Sequence, residues 1–82
     1  MDVEFQNFPR IIATADTCSG KPRIKDTRIP VSSVLAHLAG GMTIDEFLTE
    51  FHWISREDVL QALAFSAQMM SEFHYFPLKQ AS

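Results

Sequence analysis

The sequence predicts a mostly helical α+β fold, with a short β element at the front and three helices behind it. Three observations carry this. A β-branched run, "RIIATA", opens the chain's first apolar segment. The apolar period changes to that of a helix after Pro30. Two helix-start signatures, "MTIDEF" and "ISREDV", then follow in order.

Taken in order, Arg10–Ala13 reads as a short strand. "DTCSGKP" clusters Asp, Ser, Gly and Pro and reads as a loop. "RIK" and "RIPV" flank "DT" and predict two short strands of a tight hairpin, with Asp26 able to take the left-handed turn conformation. Val31, Val34, Leu35 and Leu38 sit at i, i+3, i+4 and i+7 and make one apolar helical face. Pro30 suits the opening of this helix, where a missing N–H costs nothing, and Gly40-Gly41 suits its end. Thr43 with Glu46 three residues on predicts a capping box for a second helix, and Met42 and Phe47 stand at staple positions. Ser55 with Asp58 repeats the pattern for a third, longer helix reaching about Phe73. The expected organisation is an N-terminal arm over residues 1–9, one domain over residues 10–73, and a tail over residues 74–82.

The chain has 82 residues and a net charge of −3. At this length its own core is small, so a partner or a second copy is a common remedy. Seven phenylalanines and one tryptophan are many for this length, and a homodimer is expected to cover some of that apolar surface. The single Cys18 allows no internal disulfide and fits a reducing compartment. "MDVEFQNFPR" lacks the basic-then-apolar order of a signal peptide, and no run approaches the roughly 20 apolar residues that cross a bilayer. A cytoplasmic protein with no membrane partner is therefore expected.

The charge is unevenly spread. Residues 10–28 hold Arg10, Lys21, Arg23, Lys25 and Arg28 against Asp16 and Asp26, whereas residues 29–82 hold only Arg56 and Lys79 against six acids. The front of the chain is basic and the back acidic.

Catalytic and metal-binding patterns are absent from the sequence. His37, His52 and His74 have no ligand-like spacing, and one cysteine adds nothing to them. Asp45, Glu46 and Glu50 share a helical face that reads as solvated. "GKP" lacks the upstream glycine and following Ser/Thr of a phosphate-binding loop. No enzyme, cofactor, metal or small-molecule substrate is expected.

Several motifs in order resemble one family. Gly20-Lys21-Pro22, a turn, Thr27-Arg28-Ile29-Pro30-Val31, Gly41-Met42-Thr43 and Ser55-Arg56-Glu57-Asp58-Val59 are similar to the pattern of the small bacterial VapB-like antitoxins, catalogued as domain of unknown function 433. The resemblance covers roughly residues 10–70. Lys25-Asp26 stands where family members usually carry Arg-Gly, and Phe51-His52-Trp53 where they tend to carry Tyr-Pro. The resemblance implies a helix-turn-helix-like, homeodomain-like domain after a small β element. It also implies a PIN-like ribonuclease toxin as partner, and autorepression through operator DNA.

Two sets of residues follow as site candidates. Lys21, Arg23, Lys25 and Arg28 would meet an anionic partner, either the carboxylate cluster of a metal-dependent nuclease or DNA phosphates. Trp53, Tyr75, Phe76 and Leu78 would anchor a partner or dimer interface. Each set has a plainer reading. Arg28 would instead hold local carbonyls, the basic stretch would be a solvated hairpin, and the tail would strap the core. The predicted third helix makes a poor DNA-reading helix, because Arg56 stands against Glu57, Asp58 and Glu72. DNA binding without a toxin, or a plain dimeric interaction module, are the alternative functions.

Overall fold

The computed structural model describes residues 2–72. A three-stranded antiparallel sheet of order β1-β2-β3 precedes three helices. The strands are β1 (Asp2–Phe5), β2 (Phe8–Thr14) and β3 (Arg23–Ile24), and the helices are α1 (Val31–Ala39), α2 (Ile44–Glu50) and α3 (Arg56–Ser71). This is the predicted α+β order.

The sheet is larger than the sequence suggested. The segment expected to be an arm carries β1, which pairs Val3 with Ala13 and Glu4 with Ile12. Asn7 at φ 74° turns the chain between β1 and β2, a conformation Asn tolerates. β2 extends the expected Arg10–Ala13 strand at both ends. The predicted hairpin is reduced: β3 has two residues, and the segment after the turn contributes only a bridge from Pro30 to Arg23. Proline has no N–H to donate, so the ladder does not continue. The "DTCSGKP" loop holds a short 3-10 turn over Cys18–Gly20.

The helices begin where their caps predict. Thr43 and Glu46 exchange both bonds of a capping box at α2, and Ser55 and Asp58 do the same at α3. Pro30 caps α1, and Gly41 at φ 103° carries the chain out of it, a conformation that favours glycine. α3 lies against β2 and α1.

Packing follows from the two periodicities. Ile11 and Ile24 are paired across β2 and β3 and both face the helices. They meet Val31 and Val34 from α1, Phe47 from α2, Ile54, and Val59, Ala62 and Phe65 from α3 in one core. Phe65 also receives the ring edges of Phe5 and Phe8, with centroids 4.8 and 5.4 Å away. That contact fastens the β1–β2 turn to the middle of α3. Among the described residues no helix is long and apolar enough to cross a membrane.

Candidate anionic-partner groove

The pleat that buries Ile11 and Ile24 turns their neighbours the other way. Ile12 and Arg23 are the next pair in register, so they share the opposite face of the sheet. There they line a groove of about 510 Å³ with Asp2, Thr17, Lys25, Asp26, Thr27 and Arg28. Three of the four predicted cations thus converge on one surface. The fourth, Lys21, lies elsewhere, on an apolar groove of about 330 Å³ lined by Pro22, Val31, Leu35 and Phe65.

The turn that carries Lys25 and Arg28 is held from several sides. The Ile24 N–H donates to the Ile29 carbonyl at 2.9 Å, and the Lys25 N–H donates to the Arg10 carbonyl at 2.8 Å. Thr27 Oγ1 donates to the Ile24 carbonyl at 2.7 Å and accepts from the Ile29 N–H at 3.0 Å. Asp26 takes φ 65°, the left-handed value anticipated at this position. The Cys18 thiol donates to the Arg28 carbonyl at 3.3 Å, which ties the turn to the Cys18–Gly20 loop. The backbone under Arg28 is therefore fixed.

The cations have different fates. Arg23 is half-buried; its Nη1 donates to the Thr27 carbonyl at 3.3 Å and its Nη2 to Thr14 Oγ1 at 3.0 Å. Its Nε is buried and has no partner among the described residues. Arg23, bound to one local carbonyl and one hydroxyl, therefore takes the plainer holding role weighed for Arg28. Lys25 and Arg28 are exposed, and among the described residues no hydrogen bond or ion pair occupies either side chain. Asp2 and Asp26 on the same groove are partly occupied: Asp2 accepts from Thr14 Oγ1 at 2.7 Å, and Asp26 lies 3.6 Å from Arg10. The lining carries three cations, Arg23, Lys25 and Arg28, against the two carboxylates of Asp2 and Asp26, so the groove is net positive by one charge.

A neighbouring network was not legible in the sequence. Arg10 Nε donates to Asp58 Oδ1 at 2.7 Å, and Arg10 Nη2 donates to the Lys25 carbonyl at 3.1 Å. The Arg10 N–H donates to Gln61 Oε1 at 2.8 Å. Asp58 also accepts from the Ser55 N–H at 3.1 Å, so one carboxylate caps α3 and anchors the sheet. Its side chain is only 5% exposed. Burial alone would raise the Asp58 carboxyl, but the Arg10 hydrogen bond, the Ser55 N–H and the Arg10 charge outweigh it and hold the group below the usual carboxylate range. The same bond to Asp58 raises Arg10 further, against its own desolvation. The local signal available was Asp58 as a cap; its second partner lies 48 residues away.

Trp53 is 55% exposed at the corner between α2 and α3. Its ring stands edge-on to Phe51 and His52, at 5.7 and 5.1 Å. His37 is not a free surface group: Nδ1 donates to the Ser33 carbonyl at 2.7 Å, and the ring packs against Phe47 and Phe51. Tyr75, Phe76 and Leu78 lie outside the described residues. Among the described residues no cluster of three His, Cys, Asp or Glu could hold a metal ion.

The comparisons with known proteins agree on the family. No curated protein matches the chain. A crystal structure of a DUF433 member protein from Anabaena variabilis ATCC 29413 superposes with a TM-score of 0.73 at 31% identity. The match covers 82% of this chain and 64% of that one, so this chain spans less than two thirds of its neighbour's length. The model of the family described as "Protein of unknown function (DUF433)" matches residues 11–66, which hold the core, α1, α2 and most of α3. The chain belongs to the DUF433 family.

Proposed function

We propose that the protein is an antitoxin-like inhibitor that docks its basic groove onto the acidic site of a PIN-like ribonuclease in the cytoplasm. The observation that carries this reading is Arg28, an exposed guanidinium on a turn whose backbone is fixed on both sides. A guanidinium fork matches a carboxylate, and a rigid mount reduces the ordering cost of using it. Lys25 adds a second exposed cation on the same groove, and Arg23 sets the shape of the turn beneath them. Of the motifs that resemble the VapB-like antitoxin pattern, Thr27-Arg28-Ile29-Pro30-Val31 falls on this turn.

Operator DNA offers the same anionic chemistry, and autoregulation through DNA is the second part of the reading. The contact would again be Lys25 and Arg28 rather than α3. The first turn of α3 sets Arg56 against Glu57 and Asp58, Arg56 pairs with Asp45, and Asp58 is buried against Arg10. That end of the helix offers phosphates little.

The test begins with the tagged protein recovered from nuclease-treated lysate of its source. The expected companion is a small ribonuclease that the protein inhibits and that Arg28→Ala releases. Recovery of nucleic acid alone from untreated lysate, lost on raising the salt, would replace this reading with DNA binding. Inhibition unchanged by Arg28→Ala would remove Arg28 from the interface.

A further inference from the structure

α3 carries two apolar stripes; the core takes one fully, and of the other only Leu63 packs against the core's edge. Val59, Ala62 and Phe65 are buried with Asp58. Leu60, Leu63, Ala67 and Met70 form a second line at spacings of three, four and three, the seam spacing of paired helices. Leu60 is 46% exposed and Met70 56%, Ala67 is exposed, and Leu63 is half-buried. The thirteen residues from Val59 to Ser71 contain no charge. A helix face left to water normally carries charged or polar residues, so this one is built to be covered.

We infer that a second copy of the chain covers this seam, with the two α3 helices packed antiparallel about a two-fold axis level with Phe65. Leu60 and Met70 lie five residues either side of that level, and Leu63 and Ala67 two residues either side. The axis therefore pairs Leu60 with Met70 of the other copy and sets Leu63 against the small Ala67. Large meets small in the inner layers, and flexible methionine fills the outer ones. Charge selects the orientation. Arg56, exposed and paired with Asp45 of α2, continues the same line four residues before Leu60, at the N-terminal end of the seam. The other end of α3 has no basic residue in its last turn and Glu72 at its C-cap, so its exposed carbonyls keep their negative field. An antiparallel mate brings each Arg56 toward that negative end. A parallel mate would set Arg56 beside Arg56 and bring like helix ends together. This assignment is independent of the groove and of the ribonuclease reading.

Sedimentation equilibrium of the full chain tests it. The expected mass is about twice the 9.3 kDa chain. Leu60→Glu with Met70→Glu should give the single-chain mass with an unchanged far-UV circular dichroism spectrum, because both side chains are solvent-facing. Orientation is read by oxidation in a Cys18→Ser background. Leu60→Cys copies mixed with Met70→Cys copies should form a mixed disulfide dimer, and neither alone should cross-link. A wild-type chain at the single-chain mass would overturn the proposal, including the case in which residues 73–82 cover the seam themselves. A dimer that survives the double substitution would place the interface on another face, and self-linking of Leu60→Cys would overturn the antiparallel order.

Discussion

Arg10 and Arg28 bound the same basic stretch, yet the fold treats them in opposite ways. Arg10 reaches the buried Asp58 with Nε and the Lys25 carbonyl with Nη2, while its side chain stays 35% exposed. Arg28 has a tethered carbonyl and an exposed side chain with no partner among the described residues. Arg23 stands between them, half-buried and bound to Thr27 and Thr14. Equal charges in one segment thus range from a fold element to an exposed group with no partner among the described residues. What separates them is the supply of buried acceptors, because a guanidinium leaves water only where carboxylates or carbonyls replace its hydration. A functional reading of the stretch should weight Arg28 and Lys25, not its total charge.

That contrast can be broken first at Asp58. Asp58→Ala removes the carboxylate half of the α3 capping box and strips Arg10 of its carboxylate together, and should cost about 3 kcal/mol of unfolding free energy in urea titration. A loss near that of a cap alone, about 1 kcal/mol, would mean that Arg10 is solvated rather than bound. The pH dependence sharpens the same point. The Asp58 carboxyl sits below its usual value in the folded state, so the folded protein binds fewer protons there. Its contribution is fully present above the unfolded carboxylate range and is lost as pH falls through the lowered value. Asp58→Asn should flatten the loss of stability in acid without abolishing it. Glu46, also lowered by its bonds to Thr43, titrates in the same direction. An acid limb unchanged by Asp58→Asn would contradict the pairing.

The arginines themselves should then grade by their partners. Arg10→Ala is expected to cost about 2 kcal/mol, because it leaves Asp58 buried with only its cap bonds. Arg23→Ala should cost about 1 kcal/mol, two modest bonds offset by a buried Nε that has no partner. Arg28→Ala should stay within about 0.5 kcal/mol, as surface changes do, while removing inhibition of the ribonuclease. Chemical denaturation of the three variants under one condition reads the order. If Arg28→Ala proved as costly as Arg10→Ala, Arg28 would be structural and the proposed docking role would fail.

The sequence by itself determined the helices, their caps and their turn at Gly41, and it placed the positive charge at the front. Those features depend on groups three or four residues apart, such as Thr43 with Glu46 and Ser55 with Asp58, so a linear reading reaches them. It did not reveal β1: "DVEF" offers only Val3 and Phe5 at alternate positions, too short a period to distinguish a strand from an arm. Nor did it reveal which cations stay free. Tertiary structure decided that by bringing Asp58 of α3 and the Lys25 carbonyl to Arg10, and Thr14 to Arg23. The physical reason is distance along the chain. A salt bridge or a shared sheet face is fixed by where the backbone returns, and the residues at either end carry no local sign of their partner.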